Sequence, residues 1–174
     1  MLPDLSSLVA ATVRWLMSAY PPGGGALAAA LCEAQARQAV TVAAELRYPT
    51  AMDAALVAFA GPGGSARLDR ISGAGLAEGD PADDAWRTWV DEVVASWAAC
   101  LLADPALAVR CVAAVGRAGH TSVTPLGFRR LTAPDERALR AAPLLRHPDL
   151  LAPVAALHRD GLLDRLEAEE ALSV

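Results

Sequence analysis

Lysine and asparagine are missing from this chain altogether, and isoleucine occurs once, as Ile71. All 15 cationic side chains are therefore arginine. Any anion the protein binds must be met by a guanidinium, a protonated histidine or the amino terminus. β-Branched residues are mostly scattered valines without sustained period-two alternation, which argues against a sheet. Cysteine is scarce: Cys32, Cys100 and Cys111 form no CxxC pair and leave one thiol over, a count that suits a reduced compartment better than a disulfide framework. No apolar run approaches the ~18 residues of a membrane span. The start carries Asp4 and no cation before Arg14, unlike the basic opening of a secretory signal. A cytoplasmic protein without membrane contact is the expectation.

Alanine and leucine occupy the space, with 40 and 25 residues. Codons for Lys, Asn and Ile are AT-rich, so a high-GC bacterial genome accounts for part of this bias. The physical consequence holds regardless. Alanine loses no side-chain entropy in a helix and leucine loses little, so the chain reads as helical. Its 174 residues suit one domain with a sizeable core, and a net charge of −5 excludes a globally basic nucleic-acid binder.

Punctuation then divides the chain. A first helix, about Pro3 to Tyr20, places Leu5, Leu8, Val9, Leu16 and Tyr20 on one face and stops at Pro21-Pro22-Gly23-Gly24-Gly25. A second runs from Ala26 to Arg47, with Glu33, Arg37, Thr41 and Glu45 on a solvated side, and Pro49 ends it. Thr50 and Asp53 form a variant capping box for a short helix to Ala60, whose buried side is expected to be Met52, Leu56 and Phe59. Residues 61–80, rich in glycine, read mostly as loop, with a short helix or turn around Ala66 to Ile71.

Asp80-Pro81 starts a long helix to about Leu102, and Asp104-Pro105 starts the next, to Gly116–Gly119. A linker at 120–132 precedes a helix from Thr132 and Pro134 to Pro143. His147-Pro148 opens another to Arg159, and Asp160-Gly161 sets off a last amphipathic helix, Leu162 to Leu172. The fold expectation is all-α: residues 1–174 as a single-domain orthogonal or mixed bundle of about six to seven helices.

Two breaks in the composition mark candidate sites. Trp86, Val90, Val93, Trp97, Cys100 and Leu101 follow a 3-4-3-4 spacing with Trp89 beside them, so three of eight aromatics share twelve residues of one expected helix. This seam is expected to be a core helix, and otherwise a pocket wall or dimer seam. Charge is also segregated: residues 106–147 hold seven arginines and two acids, between segments of net −5 and −4. Mutual compensation is the plain explanation. The sharper one is an anion site at Arg129 and Arg130, beside Phe128, with donors from His120, Thr121, Ser122 and Thr124.

Catalytic patterns are weak. Neither Cys111 nor Cys100 has an identifiable base, and Ser122 lacks a GxSxG elbow. His120, His147 and His158 share no ligand spacing, so no metal and no cofactor is expected. Three functions remain. The least demanding is a helical interaction or regulatory module that binds itself or another protein. A second is a domain binding a small apolar anion between Trp86, Trp89, Trp97 and an arginine. Its architecture resembles the effector domains of bacterial one-component regulators, without their DNA-reading helix-turn-helix. An enzyme with a Cys or Ser nucleophile comes last. Nucleic acid is the weakest partner.

Overall fold

The computed structural model describes residues 4–74, 84–117 and 125–171, all of them helix, turn or connection. Among the described residues ten α-helices run in order: α1 Ser6–Ala19, α2 Ala26–Arg47, α3 Ala51–Ala60, α4 Ala66–Ser72, α5 Glu92–Ala103, α6 Pro105–Arg117, α7 Arg129–Thr132, α8 Glu136–Ala141, α9 Pro148–Ala155 and α10 Arg159–Ala171. Two 3-10 turns, Ala85–Trp89 and Pro125–Phe128, precede α5 and α7. The all-α class stands. The count rises above seven because two expected connections contain α-helix: α4 lies inside 61–80, and α7 lies inside 120–132. Among the described residues no helix is long and apolar enough to cross a membrane.

The alanines have a definite place in this fold. α2 buries Ala36, Ala39, Ala43 and Ala44, and α5 buries Ala95, Ala98 and Ala99, all fully. These two helices pack against each other at the centre, with α1, α6 and α8 also on α2 and α9 on α5. Small side chains at a crossing let the axes approach closely, which is how an alanine-rich chain builds a dense core from few large residues. Leu16, Leu101, Leu102, Leu145, Leu151, Leu162 and Leu166 fill the space around the pair.

The long tryptophan helix is not continuous. Val90 is extended (ψ 123°), and Asp91 starts α5 by accepting hydrogen bonds from the amides of Val93 (2.7 Å) and Val94 (3.1 Å). Its other carboxylate oxygen accepts the hydroxyl of Tyr48. An N-cap aspartate satisfied from two directions ends the preceding turn more firmly than valine and tryptophan could extend it. The proposed start at Asp80-Pro81 lies outside the described residues.

Side chains of α5 also serve the α9–α10 junction. Ser96 Oγ donates to the Ala155 carbonyl (3.1 Å) and accepts from the His158 amide (3.0 Å). Trp97 Nε1 donates to the His158 carbonyl (2.9 Å), and the Cys100 thiol to Ala155 (3.3 Å). Backbone groups that would otherwise be buried and unpaired are thereby satisfied. α10 begins at Arg159, earlier than expected, and runs through Gly161. Leu172, its expected end, lies outside the described residues. α8 begins after Asp135, whose carboxylate caps the Ala138 amide (2.8 Å), and not at Thr132–Pro134.

Candidate interaction surface

α3 follows from strong local signals. Thr50 Oγ1 accepts from the Asp53 amide (3.2 Å) and the Asp53 carboxylate accepts from the Thr50 amide (3.1 Å), which completes the capping box. The helix stops at Gly61, whose φ of 73° is left-handed territory that glycine enters without a Cβ clash. Nine of its ten residues are apolar, so its sequence leaves open which side the protein covers.

The covered side is the smaller one. Ala54 and Val57 are the only buried residues of α3. Met52, Leu56 and Phe59 are 70%, 58% and 92% exposed, the reverse of the sequence expectation. At 100° per residue these three form one ridge, directly opposite Ala54 and Val57. The single charge, Asp53, is tied into the cap. α3 therefore presents an uncharged apolar ridge on a helix anchored by two small side chains. Pro49 precedes it and Gly61-Pro62-Gly63-Gly64 follows it.

The tryptophans do not form an exposed seam. Trp97 is buried at 4%. Trp86 and Trp89, on the 3-10 turn, are half-buried against the core. Guanidinium carbons of Arg14 and Arg87 lie 5.4 and 5.0 Å from the Trp86 ring centroid, both as cation–π contacts. Arg87 is held by Asp69 (3.0 Å to each oxygen) and Asp84 (3.2 Å), and Asp69 also accepts Trp15 Nε1 (2.9 Å). This network joins α1, α4 and the 3-10 turn, and pairs Arg87 with two acids of its own segment, Asp69 and Asp84.

Arg129 and Arg130 line an open polar groove of about 330 Å³ with Gln38, Gly127, Ala133 and Asp135. None of the three tryptophans borders it, so the expected combination of tryptophan wall and arginine clamp is not assembled there. His120, Thr121, Ser122 and Thr124 lie outside the described residues. Trp97 instead borders a groove of about 700 Å³ with His158, Arg47, Asp164 and Arg165. His158 Nε2 lies 2.7 Å from Glu92, which Arg67 also contacts at 3.1 Å. Arg110 reaches Glu170 at 3.1 Å, the kind of compensation between basic and acidic segments that plain charge pairing expects.

All three cysteines are free and buried. Burial pushes the Cys32 thiol up to about 11 and the Cys111 thiol up to about 12, and raises Cys100 as well. A nucleophilic cysteine needs the opposite shift. No group of three metal-ligating side chains converges among the described residues.

No family model, curated protein or solved structure matches this chain.

Proposed function

We propose that this chain is a single-domain helical protein–protein interaction module and that α3 is its contact surface. The observation that carries the reading is the exposure of Met52, Leu56 and Phe59 on one uncharged ridge. Leaving such side chains in water forgoes about 1.5–3 kcal/mol each relative to burial, so a covering partner recovers a substantial driving force. Scattered exposed leucines are ordinary on a protein surface, but a contiguous stripe of the three largest residues of one helix is not. Three free thiols agree with a reduced, cytoplasmic setting.

Radical footprinting tests the reading without knowledge of the partner. Met52 and Phe59 are expected to be labelled several-fold more slowly inside the native cell than in the dilute purified chain, while the half-buried Met17 changes little. Equal labelling of Met52 and Phe59 in the two settings would rule out α3 as a working interface.

A further inference from the structure

We propose that the groove beside α7 is an anion site that takes a dianionic phosphoryl group, as free phosphate or as a small phosphate ester. Nothing on α3 enters into it, so the two surfaces stand or fall separately.

Charge in this part of the chain is unbalanced. Residues 106–147 hold seven arginines and only two acids, and the fold uses both acids locally. Glu136 accepts from Arg140 on the next turn of α8 (3.1 Å), and Asp135 Oδ1 caps the Ala138 amide (2.8 Å). Among the described residues neither Arg129 nor Arg130 pairs with a carboxylate, and both are exposed where they line the groove. Residues 118–124, which precede them, contain no acid in their sequence.

A third cation stands behind the pair. Arg146 Nη2 donates to the Arg130 carbonyl (2.7 Å), and its other donors also end on neutral oxygens, Gln35 Oε1 and the Leu102 carbonyl. A partly buried cation with only neutral partners keeps most of its field, because its surroundings screen it less than water would. Three guanidinium groups therefore flank a groove that holds one carboxylate, Asp135, which leaves two positive charges unmatched. A phosphate monoester above its second pKa of about 6 carries two negative ones. The charges match.

The arginine pair sits on a prepared backbone. Gln38 of α2 donates to the Gly127 carbonyl (2.7 Å) and accepts the Leu131 amide (3.0 Å), so one side chain fixes the chain on both sides of Arg129 and Arg130. Thr132 Oγ1 adds a bond to the Phe128 carbonyl (3.1 Å). With Arg146 on the Arg130 carbonyl, only the two arginine side chains remain to be ordered when a ligand arrives. Each planar fork can meet two phosphate oxygens at once, which an isolated carboxylate cannot exploit twice. About 330 Å³ is the small end of the range for ligand sites, room for a phosphoryl group and a short attached body.

Amide NMR of the full chain, titrated at pH 7.5 and constant ionic strength, is the test. Inorganic phosphate should shift the amides of residues 127–135 and saturate with a dissociation constant of about 0.1–1 mM, while acetate and chloride should not saturate. Arg129→Gln together with Arg130→Gln should weaken phosphate by about 30-fold or more. Both side chains are exposed, so the amide pattern elsewhere should stay as in the wild type. Arg70→Gln, which removes the same charge from an exposed position on α4, should change the affinity less than about twofold. Asp135→Asn retains a capping oxygen but removes the opposing charge, so it should tighten phosphate by about 5-fold. A purely structural role for these residues would not produce opposite signs. Glycerol phosphate identifies the source: binding tighter than inorganic phosphate assigns an ester, and equal or weaker binding assigns the free ion. Shifts that climb linearly with phosphate, saturation that survives the double arginine variant, or no gain from Asp135→Asn would overturn the site.

Discussion

Arg146→Met is expected to lower the unfolding free energy by about 3–5 kcal/mol, although the residue has no carboxylate partner among the described residues. Its guanidinium is spent on carbonyl oxygens. Nε donates to Gln35 Oε1, Nη1 to the Leu102 carbonyl (3.1 Å) and Nη2 to the Arg130 carbonyl (2.7 Å). Gln35, fully buried on α2, in turn donates to the carbonyls of Leu31 (3.2 Å) and Ala138 (2.9 Å). Arg146 therefore ties α2, α5 and α7 to the turn between α8 and α9, while Gln35 adds α8.

The charge is tolerable because of where its donors point. Leu102 lies in the last turn of α5, where carbonyls lack intrahelical partners and the helix dipole is negative. Burial lowers the guanidinium to about 10, so it stays a cation at neutral pH, and that cation partly offsets the burial that raises the Cys32 thiol. Methionine fills the stem but leaves three acceptors without a donor, each costing about 1–3 kcal/mol when dry. Water reaching the half-buried site reduces the simple sum. Arg146→Lys should recover less than half the loss, since an ammonium cannot serve three carbonyls arranged around a planar fork. Urea denaturation followed by tryptophan fluorescence measures both variants. A loss below about 1 kcal/mol for Arg146→Met would mean that the fork is not what holds these elements.

How far sequence anticipates this structure depends on where each signal resides. The bounds of α2, Ala26 to Arg47, were legible because glycines and Pro49 punctuate them locally, and the Thr50–Asp53 cap was legible because both partners lie within one turn. The break before α5 was not. Trp-Val-Asp-Glu-Val-Val is compatible with continuous helix, and Asp91 becomes a terminus in company with Tyr48, 43 residues away. The same distinction explains α3. Periodicity found the stripe Met52, Leu56, Phe59, yet on a helix apolar all round it cannot say which stripe the neighbours cover. The stripe covered is the one through Ala54 and Val57. Arg146 reads in sequence as one of seven arginines in a basic segment, and only the fold brings three carbonyls around it. Trp15, fully buried in α1, lies seven residues after Leu8 and so at the edge of the face through Leu16 and Tyr20.

The buried thiols lead to the second large effect, a loss of stability at alkaline pH. Cys32 and Cys111 have an ordinary value of 9.0 when unfolded and stand at about 11 and about 12 in the fold, both raised by burial. For an acid raised by folding, the stabilising contribution is complete below the unfolded value and is lost as pH climbs through the folded one. The window therefore opens near pH 9. At pH 10 the unfolded thiols are mostly thiolate while the folded ones remain protonated, which favours unfolding by about 1.4 kcal/mol for each. Together they remove about 3 kcal/mol between pH 8 and pH 10, a large share of an ordinary domain's 5–15 kcal/mol. Cys100 is raised in the same direction, and Tyr20 and Tyr48, both above their ordinary 10.0, extend the decline beyond pH 10. Urea midpoints at pH 7.5, 9 and 10 should fall progressively. In the Cys32→Ala, Cys111→Ala double variant the baseline is lower because of lost packing, but the slope between pH 9 and 10 should be less than half as steep. A wild-type midpoint that holds steady to pH 10 would contradict burial of these thiols, as would native-state reaction with a thiol reagent at neutral pH.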